Sequence, residues 1–303
     1  LGARAMEIIH LVHNNVFLRP DDLPSPTSFL LDRDGRVAVV YRGRVSVEDL
    51  LRDLSALTDK TPAVWQRRCW PFPGKWIAEP DLVYFMEIAI ALIEKDYLEE
   101  AGDFLLQHRA ALAIEHDLPE TLMVCGTRLL KANKLPRAVT LLQAAIEMKP
   151  ELVEAHNNLG LAFRRSGRPD LARPHLEKAV ALKPAYHDAR LNLATLYAAG
   201  GQFSPALDQV ELVLKSEANH RSALLLAGNL NMKLLSWNSA KASFEKLLEA
   251  QPNHLESLIN LGGIHVQLRD YDEAIRYYES ALRINPKLES VRRSLSQLRN
   301  LKK

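Results

Sequence analysis

EAHNNLGLAFRRSGRPDLARPHLEKAVALKP, residues 154–184, is one copy of a pattern that recurs through more than half of the 303-residue chain. Alanines fall at 138, 172, 206, 240 and 274, prolines at 150, 184, 252 and 286, and glycines at 126, 160, 228 and 262, always 34 or 68 residues apart. A fixed period of this length marks an architecture built by stacking one small supersecondary unit on the next. With each unit written as positions 1–34, five units occupy 119–152, 153–186, 187–220, 221–254 and 255–288.

The residue types at each phase suit a pair of antiparallel helices. Position 8 (Gly126, Gly160, Ala194, Gly228, Gly262) and position 20, the five alanines, are small where the two helices of a unit must touch at close range. Positions 7, 11 and 24 are mostly large and apolar, as in Leu159, Phe163 and Leu176, and are read as the seam between stacked units. Proline at position 32 ends the second helix. In period and phased residues the stretch 119–288 closely resembles the tetratricopeptide family. The resemblance implies a mainly α protein, an α-α superhelical solenoid of helix pairs.

Departures are local. Ala218 stands for proline, Val213 and Leu247 for a small residue at position 27, and the fourth unit carries LLSWN, residues 234–238, where its neighbours have Gly or a charged turn, so that unit is expected to pack differently. Upstream, residues 82–118 read as a degenerate helix pair, with Ala101 37 rather than 34 residues before Ala138. Downstream, residues 289–303 read as a capping helix with Val291, Leu295 and Leu298 on one face and arginines around the rest.

The front of the chain differs. SPTSFLLDRDGRVAVVYRG, residues 25–43, reads as two strands joined by a turn at Asp34-Gly35. LPSPTSFLLDRDGRV, residues 23–37, resembles the C-terminal half of a thioredoxin-like, redoxin-type domain. On that resemblance residues 1–57 are a partial α/β segment of helix (from Ala3 to Val12), β-hairpin and final helix (Val47 to Leu57), and 58–81 an aromatic and proline-rich connector. No CxxC is present, so the redox half is missing. The combination is similar to the C-terminal region of bacterial FG-GAP/ASPIC-UnbV multidomain proteins. That similarity implies a fragment of a longer, exported (periplasmic or extracellular) protein, with a cytoplasmic one as the alternative.

A formal charge of +2 offers no electrostatic case for nucleic acid or a membrane surface as partner. The longest apolar stretch, Leu82 to Ile93, is broken by Glu87 and falls short of the roughly 20 residues of a membrane helix. His10 and His13 are spaced i, i+3 but lack a third ligand, so no metal site is expected. His265 is read as a satisfied core histidine and Cys125, at position 7, as inert packing. Trp65, Trp70 and Trp76 in the connector are read as packing between hairpin and helices, with an exposed docking patch as the alternative. No nucleophile, phosphate-binding or paired-carboxylate motif stands out, so neither an enzyme nor a small-molecule cofactor is expected.

In the family this chain resembles, positions 2, 5, 6, 9, 12 and 13 of the first helices line a concave groove that binds extended peptides. Onto those positions fall Asn157, Asn158, Asn192, Thr195, Asn229 and Asn260, with Arg164, Arg165 and Lys233 at the C-terminal ends. Asparagine donates and accepts at once, which suits a peptide backbone. Val124 and Leu226 interrupt the row, and the lysines of chaperone-binding members are absent. Acids at position 2 (Glu120, Glu154, Asp188, Glu256) and bases at position 13 either compensate helix dipoles, the favoured reading, or orient a peptide. The function expected is a non-catalytic protein-interaction scaffold. Its alternatives are an architectural spacer arm, or part of a thiol-disulfide oxidoreductase whose active half is absent. Asn158→Ala with Asn192→Ala is expected to weaken partner binding without lowering the melting temperature much.

Overall fold

A computed structural model describes residues 27–31, 37–42, 82–114 and 116–301. The expected helices over 3–12 and 47–57, the His10/His13 pair and the connector at 58–81 with Cys69 lie outside the described residues. The chain divides into two compact units, Leu1–Leu118 and Pro119–Lys303.

In the first unit, β1 (Thr27–Leu31) pairs antiparallel with β2 (Val37–Arg42), from Thr27 opposite Arg42 to Leu30 opposite Val39. Leu31 then faces Val37, so Ala38 is the extra residue of a bulge. Helices α1 (Leu82–Glu94) and α2 (Leu98–Gln107) form a hairpin followed by a 3-10 turn, Ala111–Ile114. Ala89 and Ala101 have no exposed surface, and Leu105 and Leu112 are buried with them. Small residues of this kind let paired helices approach closely.

The second unit is a stack of antiparallel helix pairs. First helices are α3 (Leu118–Lys131), α5 (Val153–Arg165), α7 (His187–Ala199), α9 (Arg221–Lys233) and α11 (Leu255–Gln267). Second helices are α4 (Leu135–Met148), α6 (Pro169–Leu182), α8 (Phe203–Ser216), α10 (Trp237–Ala250) and α12 (Tyr271–Ile284). Each helix packs on the next, and α5, α7 and α9 also touch as consecutive first helices. Helix α13 (Glu289–Leu301) packs on α12, burying Val291, Leu295 and Leu298.

Close approach within a pair rests on position 8. A Cβ on Gly160 would stand 2.6 Å from Leu176 Cγ, and one on Gly228 2.6 Å from the ring of Phe244. The large residue at position 24 therefore does more than fill the seam between units: it rests on the glycine of its own unit. The third unit, where position 8 is Ala194, has the shorter Val210 at position 24, and both lie in one buried cluster. Volume is conserved across the pair.

Each turn inside a repeat carries one left-handed residue at position 15: Asn133, Gly167, Gly201, Leu235 and Arg269, with φ between 58° and 73°. Around it the position 16 N–H bonds the carbonyl of position 11, as in Arg168 to Phe163 (2.9 Å) and Ser236 to Asn231 (2.9 Å), the Schellman helix end. The LLSWN segment thus keeps its neighbours' turn. Schellman closure and the flanking helices hold the backbone even where the residue is a leucine, which is 67% exposed.

A second recurring device ties units together. From position 4, the side chains of His156, Arg190 and Arg292 donate to the carbonyls of Pro150, Pro184 and Pro286, the position 32 prolines of the preceding units. Proline there both ends a helix and presents a carbonyl that the next helix claims.

Candidate functional site

The first helices bring the predicted polar residues into two hydrogen-bonded groups. Asn192 on α7 donates from Nδ2 to Asn157 Oδ1 on α5 at 2.9 Å. Asn157 donates to Asn158 Oδ1 (3.1 Å), and Asn158 donates to Thr127 Oγ1 on α3 (2.8 Å), whose hydroxyl donates to the Met123 carbonyl (2.7 Å). This chain crosses three consecutive units. Farther along, Asn260 on α11 donates to Asn229 Oδ1 on α9, and Asn229 donates to Glu256 Oε1, both at 3.1 Å. Thr195 bonds its own helix at the Leu191 carbonyl.

Within this network each asparagine uses two of its hydrogen-bonding positions or fewer, from a capacity of about four. Asn157 is buried, while Asn158, Asn192, Asn229 and Asn260 are partly exposed. The asparagines therefore link unit to unit while part of the row still faces outward.

Arg164 and Arg165 follow Asn157 and Asn158 by seven residues each, which returns them to nearly the same helix face about 10.5 Å farther along. Arg165 reaches the Leu130 carbonyl of the preceding unit at 3.4 Å. Arg164 Nε is buried and has no acceptor among the described residues. Burial, and after it the Arg165 charge alongside, disfavour the charged form of Arg164. Lys233 is exposed at the end of α9, one helical turn beyond Asn229.

Of the acids at position 2, Glu120 pairs with Lys149 of its own unit and Glu256 accepts from Asn229. Thr127 was not singled out by the sequence reasoning, although it shares position 9 with Thr195 and Asn229. Its short side chain looks inert until the neighbouring unit supplies Asn158.

Burial pushes the Cys125 thiol up to about 12, which suits packing and opposes thiolate chemistry. His265 is buried and bonds Asp270 through Nδ1 at 3.1 Å, but its Nε2 has no partner among the described residues, so it is satisfied on one side only. No helix among the described residues is long and apolar enough to cross a membrane.

Two models of the tetratricopeptide repeat match the chain, one over residues 126–187 and 225–289, the other over 163–230. Together they cover more than half of its length, and the chain belongs to the tetratricopeptide-repeat family. Such repeats are in general non-catalytic interaction modules. Among curated proteins none matches the sequence.

Solved structures share the fold. A repeat protein from Cytophaga hutchinsonii aligns with a TM-score of 0.60 at 18% identity, covering 71% of this chain and 87% of that one. YrrB, described as a TPR protein with an unusual peptide-binding site, aligns with a TM-score of 0.55 at 18% identity over 61% and 96% of the two chains. MamA aligns with a TM-score of 0.51 at 19% identity over 55% and 96%.

Proposed function

We propose that the first-helix wall of α3, α5 and α7 binds an extended protein segment that carries a carboxylate. Arg164 carries this reading. A guanidinium with a buried, unpartnered Nε, set beside a second arginine, is an acceptor-seeking group, and leaving such a donor unpaired costs roughly 1–3 kcal/mol. An aspartate or glutamate side chain, or a C-terminal carboxylate, would pair with the outer guanidinium nitrogens of Arg164 beside Arg165. The free amide positions of Asn158 and Asn192, on the same helical faces, would then meet the segment's backbone. The peptide-binding site named for YrrB supports placing a peptide in such a groove.

A spacer arm that binds nothing is the second reading, favoured by the pairing of asparagines across units. One experiment separates the two. Selection from a displayed peptide library on the intact chain should enrich acidic segments whose binding falls at least about tenfold, some 1.4 kcal/mol, in Arg164→Met/Arg165→Met. Absence of enrichment, or equal binding by that variant, supports the spacer.

The thioredoxin-like reading of residues 1–57 belongs to the same proposal, as does an exported, bacterial, FG-GAP-type parent. Their supports are the motif at residues 23–37 and the antiparallel pairing of β1 with β2. The sequence preceding Leu1 in the parent gene tests them: it should encode the first strand–helix–strand of that fold.

A further inference from the structure

Where the third unit meets the fourth, three metal-binding side chains converge. His187 opens α7, Glu217 caps the end of α8, and His220 is the N-cap of α9. One ring nitrogen of each histidine and a carboxylate oxygen of Glu217 all lie within 4.8 Å of one another. His187 Nδ1 stands 3.5 Å from Glu217 Oε2. Ligand atoms of a tetrahedral zinc site with bonds of about 2.05 Å are about 3.4 Å apart, so that pair is already at coordination spacing.

The surroundings prepare the ligands. With the Ser216 hydroxyl proton assigned to the Val213 carbonyl (2.9 Å), Oγ accepts from His187 Nε2–H at 2.8 Å. That places the proton of neutral His187 on Nε2 and leaves a lone pair on Nδ1, toward Glu217. A hydrogen bond from the outer nitrogen of a ligating histidine is the usual orienting device of metal sites. The 217–220 turn is closed by a bond from His220 N–H to the Glu217 carbonyl at 3.0 Å, which holds two of the ligands on one short loop. His220 Nδ1 accepts from Ala223 N–H at a long 3.3 Å, a weak cap that coordination would replace. Glu217 and His220 border a depression of about 500 Å³ lined also by Asn219, Arg221, Gln251 and His254, which opens that side of the cluster to an ion.

We propose that His187, Glu217 and His220 bind a single borderline divalent cation of the zinc class, with water in the fourth position. Two neutral imidazoles and one carboxylate suit such ions over calcium or magnesium, which prefer oxygen ligands throughout. A bound ion would clamp the start of α7 to the α8–α9 loop, joining the two ends of the third unit at the N-cap of α9. This does not depend on peptide binding at the α3–α7 wall.

Titration of the chelator-stripped full chain with Co²⁺, followed by visible absorption and then by Zn²⁺ displacement, tests it. One equivalent should bind with the intense absorption of a four-coordinate site, and zinc should raise the melting temperature. His187→Gln and Glu217→Gln should abolish the signal. Ser216→Ala, which touches no metal, should weaken affinity by about tenfold or more while circular dichroism stays unchanged. Absence of Co²⁺ absorption at micromolar metal, or binding that survives both His187→Gln and Glu217→Gln, would overturn the assignment.

Discussion

The side chain of Asn192 donates to that of Asn157 at 2.9 Å across 35 residues, joining the first helices of two successive repeats. Because Asn157 is buried and also donates to Asn158, the pair is structural before it is anything else. Asn158 and Asn192, the two positions expected to be replaceable at little cost in stability, both bond this buried residue. Asn157→Ala strands Asn192 Nδ2 and Asn158 Oδ1 and should cost roughly 1–3 kcal/mol. Asn192→Ala, at a partly exposed site, should cost about 1 kcal/mol, and the double variant less than the sum. Urea denaturation of the three variants measures this; strict additivity would show that the bond does not couple the repeats.

The contact between Gly160 and Leu176 admits no extra methyl group. Gly160→Ala should destabilise by roughly 1–3 kcal/mol through overpacking, net of the helix-propensity gain that alanine brings. The third unit indicates the remedy, since Ala194 there coexists with Val210. Gly160→Ala/Leu176→Val should therefore lose less stability than the two single changes summed. A double-mutant cycle read by thermal melting decides, and a sum or worse would refute volume exchange at these positions.

Leu235 holds φ at 58° with its side chain 67% exposed, so it bears left-handed strain with little packing in return. Leu235→Gly should stabilise the chain by about 1 kcal/mol, the order of the left-handed penalty for an L-residue. The equivalent Gly167→Leu should destabilise by a similar amount. Denaturation midpoints that move in the opposite sense would contradict this account of the turn.

His156 and His175 meet Nδ1 to Nδ1 at 3.1 Å, with His156 Nε2–H on the Pro150 carbonyl and His175 stacked on Phe163. Burial lowers the pKa of both below 6.5, with the neighbouring His156 adding to the effect on His175 and Lys178 to that on His156. The unfolded chain therefore takes up protons that the folded pair resists. Stability is full above pH 6.5 and falls as the pH drops below it. His175→Gln should flatten the fall in melting temperature between about pH 7.5 and about pH 5.5. An unchanged slope would mean that other groups govern acid sensitivity.

The repeat was legible because its packing is local and periodic. A glycine that must accept a large residue 16 positions on, and an alanine at each helix contact, leave the same mark at every copy, as Gly160 with Leu176 and Gly228 with Phe244 do. Candidate site residues were legible as a row because the family resemblance implies a groove at positions 5, 6, 12 and 13, and helical spacing keeps Asn157, Asn158, Arg164 and Arg165 on one side of α5. Their partners were not. Thr127 and Asn158 lie 31 residues apart, and nothing near either one announces the bond.

From the sequence alone came the 34-residue period, the helix pairs and the phases that must be small or large, because each repeat meets the same neighbour in the same way. Only the tertiary structure decided that the asparagines bond to one another, that Leu235 takes a glycine's conformation, and that His187, Glu217 and His220 converge. The last two depend on how the helices and turns of a single repeat close on themselves, the first on how one repeat is turned against the next. That angle is the sum of many contacts spread over two units, so no single stretch of the chain records it.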